Sequence, residues 1–180
     1  MKNKICIITS YLPFPPDSGG RVCMYYKIIE LSKYYDIYLV SLDNELIFEK
    51  LKITEEYLNI KKHIKEFLLL QPQRLNTKSI FYKINALYNW IFSITPYHIT
   101  KLNSVKNTNL IKKFLSDNQI KNIIIESTQT ASLVNINKLK KVGYKILTVM
   151  FDIDHKLYWD QNCYRSKLYK KLLYSIQRYK

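Results

Sequence analysis

The sequence predicts an α/β fold built on a doubly wound parallel sheet. Residues 4–10 (KICIITS) form a short apolar, β-branched run, which is typical of a strand buried on both faces. Residues 21–35 (RVCMYYKIIELSKYY) repeat apolar side chains at helical spacing, with Met24 and Ile28 on one wide apolar face. Residues 36–42 (DIYLVSL) are again strand-like. Strand, helix and strand in this order indicate a βαβ unit, whose two strands are parallel and joined by a right-handed crossover.

The remaining sequence continues the same alternation. We predict helices at 45–60, 78–93, 104–117, 128–141 and 157–180, and strands at 63–71, 121–127 and 144–151. This order is typical of a Rossmann-like domain with helices on both faces of the sheet. The length of 180 residues suits one domain, and no Gly-, Pro- or Ser-rich linker divides it, so we assign residues 1–180 to a single domain.

Charge and cysteine content limit the classes of function. The 29 Lys and Arg residues against 14 Asp and Glu give a net charge of +15, which attracts nucleic acid, anionic lipid or phosphorylated small molecules. Cys6, Cys23 and Cys163 are odd in number and lack metal-ligand spacing, so we expect no disulfide framework and no metal site. With no signal peptide and no 18-residue apolar segment in the sequence, we expect a cytoplasmic protein.

The stretch YLPFPPDSGGR, residues 11–21, holds two of the three glycines in the chain. It follows the first strand, where parallel α/β sheets bind their ligands. Gly19 and Gly20 permit positive φ, and we expect them to let ligand oxygens approach backbone N–H groups at the start of a helix, an arrangement that suits phosphate. Alternatively, the stretch is a tight connection with Asp17 or Ser18 as the helix N-cap. It contains neither G-x-G-x-x-G nor G-x-x-x-x-G-K-[ST], so it supports neither a dinucleotide fingerprint nor a P-loop.

Residues 11–42 resemble the opening of GT-B glycosyltransferases of family 4, and the resemblance continues along the chain. It includes TPY (95–97), IIIESTQTASLV (123–134) and ILTVMFDIDHKLYW (146–159), in the order of the family. It implies the N-terminal, acceptor-side half of a two-domain enzyme that moves a sugar from a nucleotide-diphosphate donor to a hydroxyl of a sugar or lipid-linked acceptor. The implied setting is surface polysaccharide or glycolipid synthesis, without a cofactor or an obligatory metal.

The resemblance also implies roles for individual residues. Gly19 and Gly20, helped by Arg21, would face the donor diphosphate, and His155 would be the catalytic histidine near the transferred sugar. The implied acceptor-binding residues are Asp17, Ser18, Glu126, Ser127, Gln129, Asp152 and Asp154. The chain departs from the family pattern after the histidine, because Lys156 and Tyr158 replace the usual Asn and acid. Helix capping by the acids and hydroxyls, and a solvated loop position for the histidine, are the alternative interpretations.

The nucleotide-sugar half expected of such an enzyme is missing from the sequence, since no two glutamates have the Glu-x7-Glu spacing of its donor-binding motif. One wall of a cleft cannot position two substrates, so we expect no turnover by this chain alone. Two alternatives remain: a binding module that completes a split glycosyltransferase with a partner chain, and a basic protein that binds polyanions or membranes. Residues 78–101 interleave lysines with aromatic residues, which suits either peripheral attachment to an anionic membrane or a core-facing helix. No nucleic-acid-binding signature is present, so we expect no specific nucleic acid partner.

Overall fold

The computed structural model of the chain describes residues 2–43, 45–71, 105–126, 128–131 and 133–149. The strands are β1 (Asn3–Thr9), β2 (Tyr35–Leu42), β3 (Ile64–Leu70), β4 (Asn122–Glu126) and β5 (Lys145–Val149). The helices are α1 (Gly19–Ser32), α2 (Glu45–Leu51), α3 (Glu55–Lys61), α4 (Val105–Asp117), α5 (Thr128–Ala131) and α6 (Ile136–Lys141).

The five strands form one parallel sheet in the order β3-β2-β1-β4-β5. Chain order reverses beside β1, which pairs with β2 on one side (Ile5 opposite Ile37) and with β4 on the other (Ile5 opposite Asn122). All strands end at the same edge of the sheet, called the carboxyl edge below. The gap between the ends of β1 and β4 is therefore the topological switch point, where doubly wound sheets bind ligands.

The central strands β1, β2 and β4 are buried on both faces, and the parallel sheet with its flanking helices confirms the predicted Rossmann-like α/β class. Alternate residues of β1 belong to different cores, because side chains alternate across a strand. Ile5 and Ile7 lie in the core that contains Met24 of α1, while Cys6 and Ile8 lie in the core that contains Ile111 of α4. Helices α1 to α3 thus cover one face, and α4 and α6 cover the other.

Two predicted helices are each broken in the structure, and the first helix starts earlier than predicted. Residues 45–60 form two helices, α2 and α3, instead of one. Thr54 lies between them and caps α3, because its side chain accepts a hydrogen bond from the Tyr57 N–H at 3.3 Å. Residues 128–141 form α5 and α6, and Asn135 caps α6 by accepting from the Lys138 N–H at 2.9 Å. The helices predicted at 78–93 and 157–180 lie outside the described residues. None of the described helices is long and apolar enough to cross a membrane.

Candidate functional site

The loop between β1 and α1 is held against the domain by two buried apolar side chains. Leu12 is fully buried and Phe14 is 1% exposed. The Phe14 ring contacts the rings of Phe48 in α2 and Tyr57 in α3, with centroid distances of 6.3 and 5.1 Å. Apolar anchoring therefore fixes the path of the proline-rich segment across the carboxyl edge, next to the switch point.

The two adjacent glycines are the first two residues of α1, and neither adopts the positive φ that glycine permits. Only Gly143, in the turn before β5, has a positive φ (89°) among the three glycines. The helix starts at Gly19 instead of near Arg21, so both glycines belong to the helix. Ser18 precedes the glycines and occupies the N-cap position, but its side chain makes no capping hydrogen bond.

The start of α1 leaves backbone donors available. The first helical bond runs from the Val22 N–H to the Ser18 carbonyl at 2.8 Å. The N–H groups of Gly19, Gly20 and Arg21 precede it and have no intrahelical acceptor, as at any helix start. Since no acidic residue lies in the first turn, these donors and the positive end of the helix dipole remain uncompensated by the helix itself.

An open pocket of about 520 Å³ lies beside this helix start, lined by Tyr11, Asp17, Ser18, Gly20 and Arg21. The Arg21 Nη1 atom donates to both carboxylate oxygens of Asp17 at 3.0 Å. The ion pair joins Arg21 in the first turn of α1 to Asp17, which precedes the N-cap, with the Arg21 side chain 31% exposed and that of Asp17 54% exposed. The pocket thus holds a cation that is already partly neutralised by a carboxylate, and an arriving anion would compete with Asp17 for it.

The glycines differ in what surrounds them. A Cβ at Gly19 would meet no atom within 4 Å, so nothing in the described chain requires glycine there. A Cβ at Gly20 would lie 3.3 Å from the Tyr11 hydroxyl, which is closer than most Cβ contacts. Packing therefore explains Gly20 in part, whereas Gly19 leaves an open approach to the backbone.

Tyr11 is a pocket residue that the sequence interpretation missed. Its hydroxyl lies 3.4 Å from the Gly20 carbonyl, which accepts a weak hydrogen bond from it. Burial raises the pKa of Tyr11, and the negative charge of Glu126 raises it further. The phenol therefore stays protonated at neutral pH and can donate a hydrogen bond. The signal in the sequence that could have identified Tyr11 was its position two residues after the end of β1, at the edge where ligands bind.

Glu126 lies at the end of β4, on the other side of the switch point from Tyr11. It is fully buried, and its Oε1 atom accepts a hydrogen bond from Lys27 of α1 at 2.7 Å. Its second oxygen, Oε2, is buried without a hydrogen-bond partner in the described part of the chain. The Glu126 carboxylate does not line the pocket beside α1. Its role in acceptor binding stays a prediction. The sequence analysis did not identify Lys27 as a site residue. A lysine beside Ile28, which belongs to the apolar face of the helix, was the signal that could have pointed to it.

The structure brings together part of the predicted site. Asp17, Ser18, Gly20 and Arg21 line one pocket, and Gly19 adjoins it. The remaining predicted residues cannot be placed there: Ser127, Asp152, Asp154 and His155 lie outside the described residues, as does the side chain of Gln129. Within the ranges that the structure describes, no three His, Cys, Asp or Glu side chains cluster as metal ligands.

No protein-family model matches the chain, and no curated protein matches it significantly. One solved structure that does match is the tyrosyl-tRNA synthetase of Archaeoglobus fulgidus complexed with L-tyrosine, at 10% sequence identity and a TM-score of 0.30. The alignment covers 83% of this chain and 55% of the synthetase, so the chain spans about half of its length. At this level of similarity the match says nothing about activity.

Proposed function

We propose that the chain is the acceptor-side domain of a GT-B glycosyltransferase, which moves a sugar from a nucleotide-diphosphate donor to a hydroxyl acceptor once a donor domain completes the cleft. The observation that carries the proposal is the uncapped start of α1, which opens onto the Tyr11–Arg21 pocket at the switch point. The resemblance of residues 11–42 to family 4 enzymes supplies the reaction, and the pocket supplies a place for the diphosphate.

The geometry suits negative charge that develops on a leaving diphosphate. Backbone N–H groups at Gly19 and Gly20 are fixed donors, so they need no reorganisation when the charge appears. The helix dipole adds roughly half an elementary positive charge at the same point. Arg21 adds a full charge where it is released from Asp17. A phosphate oxygen can reach the Gly19 amide without meeting a Cβ.

The glycine amides give a direct test of diphosphate binding. The chain has three glycines, so ¹⁵N-glycine labelling of the full chain gives three backbone signals. We expect UDP or GDP to shift the Gly19 and Gly20 signals, with weak affinity, while uridine shifts neither. Gly143 lies before β5, at the opposite edge of the sheet, and serves as an internal control that should not move.

Gly19→Ala tests whether the open approach matters. The residue is helical and a Cβ meets nothing, so we expect the folded state to be unchanged or up to about 1 kcal/mol more stable. We expect the same change to weaken UDP binding by about tenfold, because the Cβ occupies the approach to the amide. Equal shifts of all three glycine signals, abolished alike by moderate salt, would instead indicate nonspecific polyanion binding and contradict the proposal.

Asp17→Asn should strengthen diphosphate binding. The substitution removes a negative charge from the pocket and frees the Arg21 guanidinium from its 3.0 Å contacts. Charge-assisted contacts at such partly exposed sites favour an increase in affinity of roughly three- to tenfold. The Gly20 shift during a UDP titration measures the change. Weaker binding by the variant would show that Asp17 itself contacts the ligand or holds Arg21 in its binding position.

A further inference from the structure

The two helical layers differ in charge. Helices α1 to α3 mix both signs, with Arg21, Lys27, Lys50 and Lys61 against Glu30, Glu45, Glu49, Glu55 and Glu56. Helices α4 to α6, called the basic layer below, carry six lysines and one acid. The lysines are Lys106, Lys112, Lys113, Lys138, Lys140 and Lys141, and the acid is Asp117. All six lysines are exposed.

The lysines of the basic layer are also uncompensated by ion pairs. In the other layer, Lys33 pairs with Glu30 and Lys52 pairs with Glu49. Within the described ranges, no ion pair includes a lysine of α4 or α6. A general enrichment of the sequence in lysine would affect both layers, and it does not explain why the acids are concentrated in one. The described helices therefore place an excess of positive charge on one side of the domain.

Apolar side chains project from both layers, and in the basic layer they lie among the lysines. Val105 is 79% exposed and Leu110 is 37% exposed on α4, and Val142 follows α6 with 66% exposed. Leu110 lies one helical turn from both Lys106 and Lys113, so it shares their stripe of the helix. Apolar tips among flexible ammonium groups are the combination that enters a lipid headgroup layer.

The chemistry of the layer favours lipid over nucleic acid. Residues 105–149 contain no arginine, and their aromatic residues are Phe114, which is buried, and Tyr144, which is half-buried under the Lys121 ammonium at 5.0 Å. Nucleic acid sites typically use arginine forks and exposed aromatic rings for stacking. Lysine point charges with apolar tips match a diffuse anionic surface instead.

We propose that the basic layer is a docking surface for an anionic phospholipid bilayer. The inference concerns a different face from the Tyr11–Arg21 pocket and does not rest on the glycosyltransferase proposal. It fixes how the domain would lie on the bilayer: α4 and α6 would face the headgroups, and α1 to α3 would face away. The sheet would then lie roughly parallel to the membrane, and the carboxyl edge with its pocket would face along the membrane plane.

Vesicle sedimentation of the full chain tests the proposal. At physiological salt, we expect the chain to sediment with phosphatidylcholine vesicles containing about one-third phosphatidylglycerol and to stay in solution with pure phosphatidylcholine. The variant K106Q/K113Q/K140Q/K141Q should bind the anionic vesicles at least about 100-fold more weakly, since each lysine near such a surface is worth about a fivefold change in partition. The matched control K33Q/K50Q/K61Q/K62Q removes equal charge from exposed positions of the other layer, and it should lose less than about tenfold.

Three results with vesicles would overturn the proposal: no sedimentation of the unmodified chain, equal losses in the two variants, or unchanged binding by the basic-layer variant. Equal losses would mean that net charge, rather than this face, controls binding. Tighter and layer-dependent binding to a single-stranded oligonucleotide would assign the face to nucleic acid. Circular dichroism of both variants verifies that they fold, and the glycine signals verify the pocket independently of lipid.

Discussion

Phe14→Ala is expected to destabilise the domain by about 3–5 kcal/mol, as for other large aromatic side chains removed from a core. Phe14 is 1% exposed, and its ring contacts both Phe48 and Tyr57, which themselves pack with centroids 5.7 Å apart. Its removal leaves a cavity that α2 and α3 cannot fill without moving. Urea unfolding followed by circular dichroism measures the loss, as a lower midpoint with little change in slope.

The same substitution should disturb the pocket, because Phe14 is what fixes the loop between β1 and α1. In the folded variant, the ¹⁵N signals of Gly19 and Gly20 should shift or broaden, while Gly143 stays in place. Phe14→Leu is the matched control, since it keeps an apolar side chain and should cost less than about 1.5 kcal/mol. A Phe14→Ala variant as stable as the unmodified chain would show that the loop does not depend on this anchor.

The fold was predictable from local pattern because the central strands β1, β2 and β4 are buried on both faces. Continuous apolar runs placed β1 at 4–10, against Asn3–Thr9 in the structure, and β4 at 121–127, against Asn122–Glu126. The helix breaks were not predicted, because the apolar pattern of 45–60 continues through the break. There, the Thr54 side chain bonds to the backbone and starts a second helix, a local competition that periodicity does not register.

The candidate site was predictable only where it is local in sequence. Asp17, Ser18, Gly20 and Arg21 come from one short stretch, so composition and position after a strand were enough to identify them. The first helix was predicted to begin near Arg21 but begins at Gly19, because a helix start and a tight turn share residue preferences. The contact between Lys27 and Glu126 joins residues 99 positions apart, and only the strand order brings them together.

Lys27→Met should be among the most destabilising single substitutions in the described domain. The Glu126 side chain is 1% exposed, and Lys27, 23% exposed, supplies the ion pair that compensates its charge at 2.7 Å. Removing one member of a buried pair leaves an uncompensated buried charge and costs about 3–5 kcal/mol. Because Lys27 retains some contact with water, we expect the lower end of that range, measured as a reduced free energy of unfolding in urea.

A double substitution separates charge from packing in this pair. If the cost of Lys27→Met comes from the unpaired carboxylate, Lys27→Met/Glu126→Gln should recover about half of the loss or more, because a neutral amide is far less costly to bury than a carboxylate. Lys27→Arg keeps the charge and should cost less than Lys27→Met. A double variant no more stable than Lys27→Met would show that the lysine acts by packing its methylene chain against the sheet. Recovery would mean instead that the charge of Lys27 is what allows an ionised carboxylate to sit at the end of β4, beside Tyr11 and the proposed diphosphate pocket.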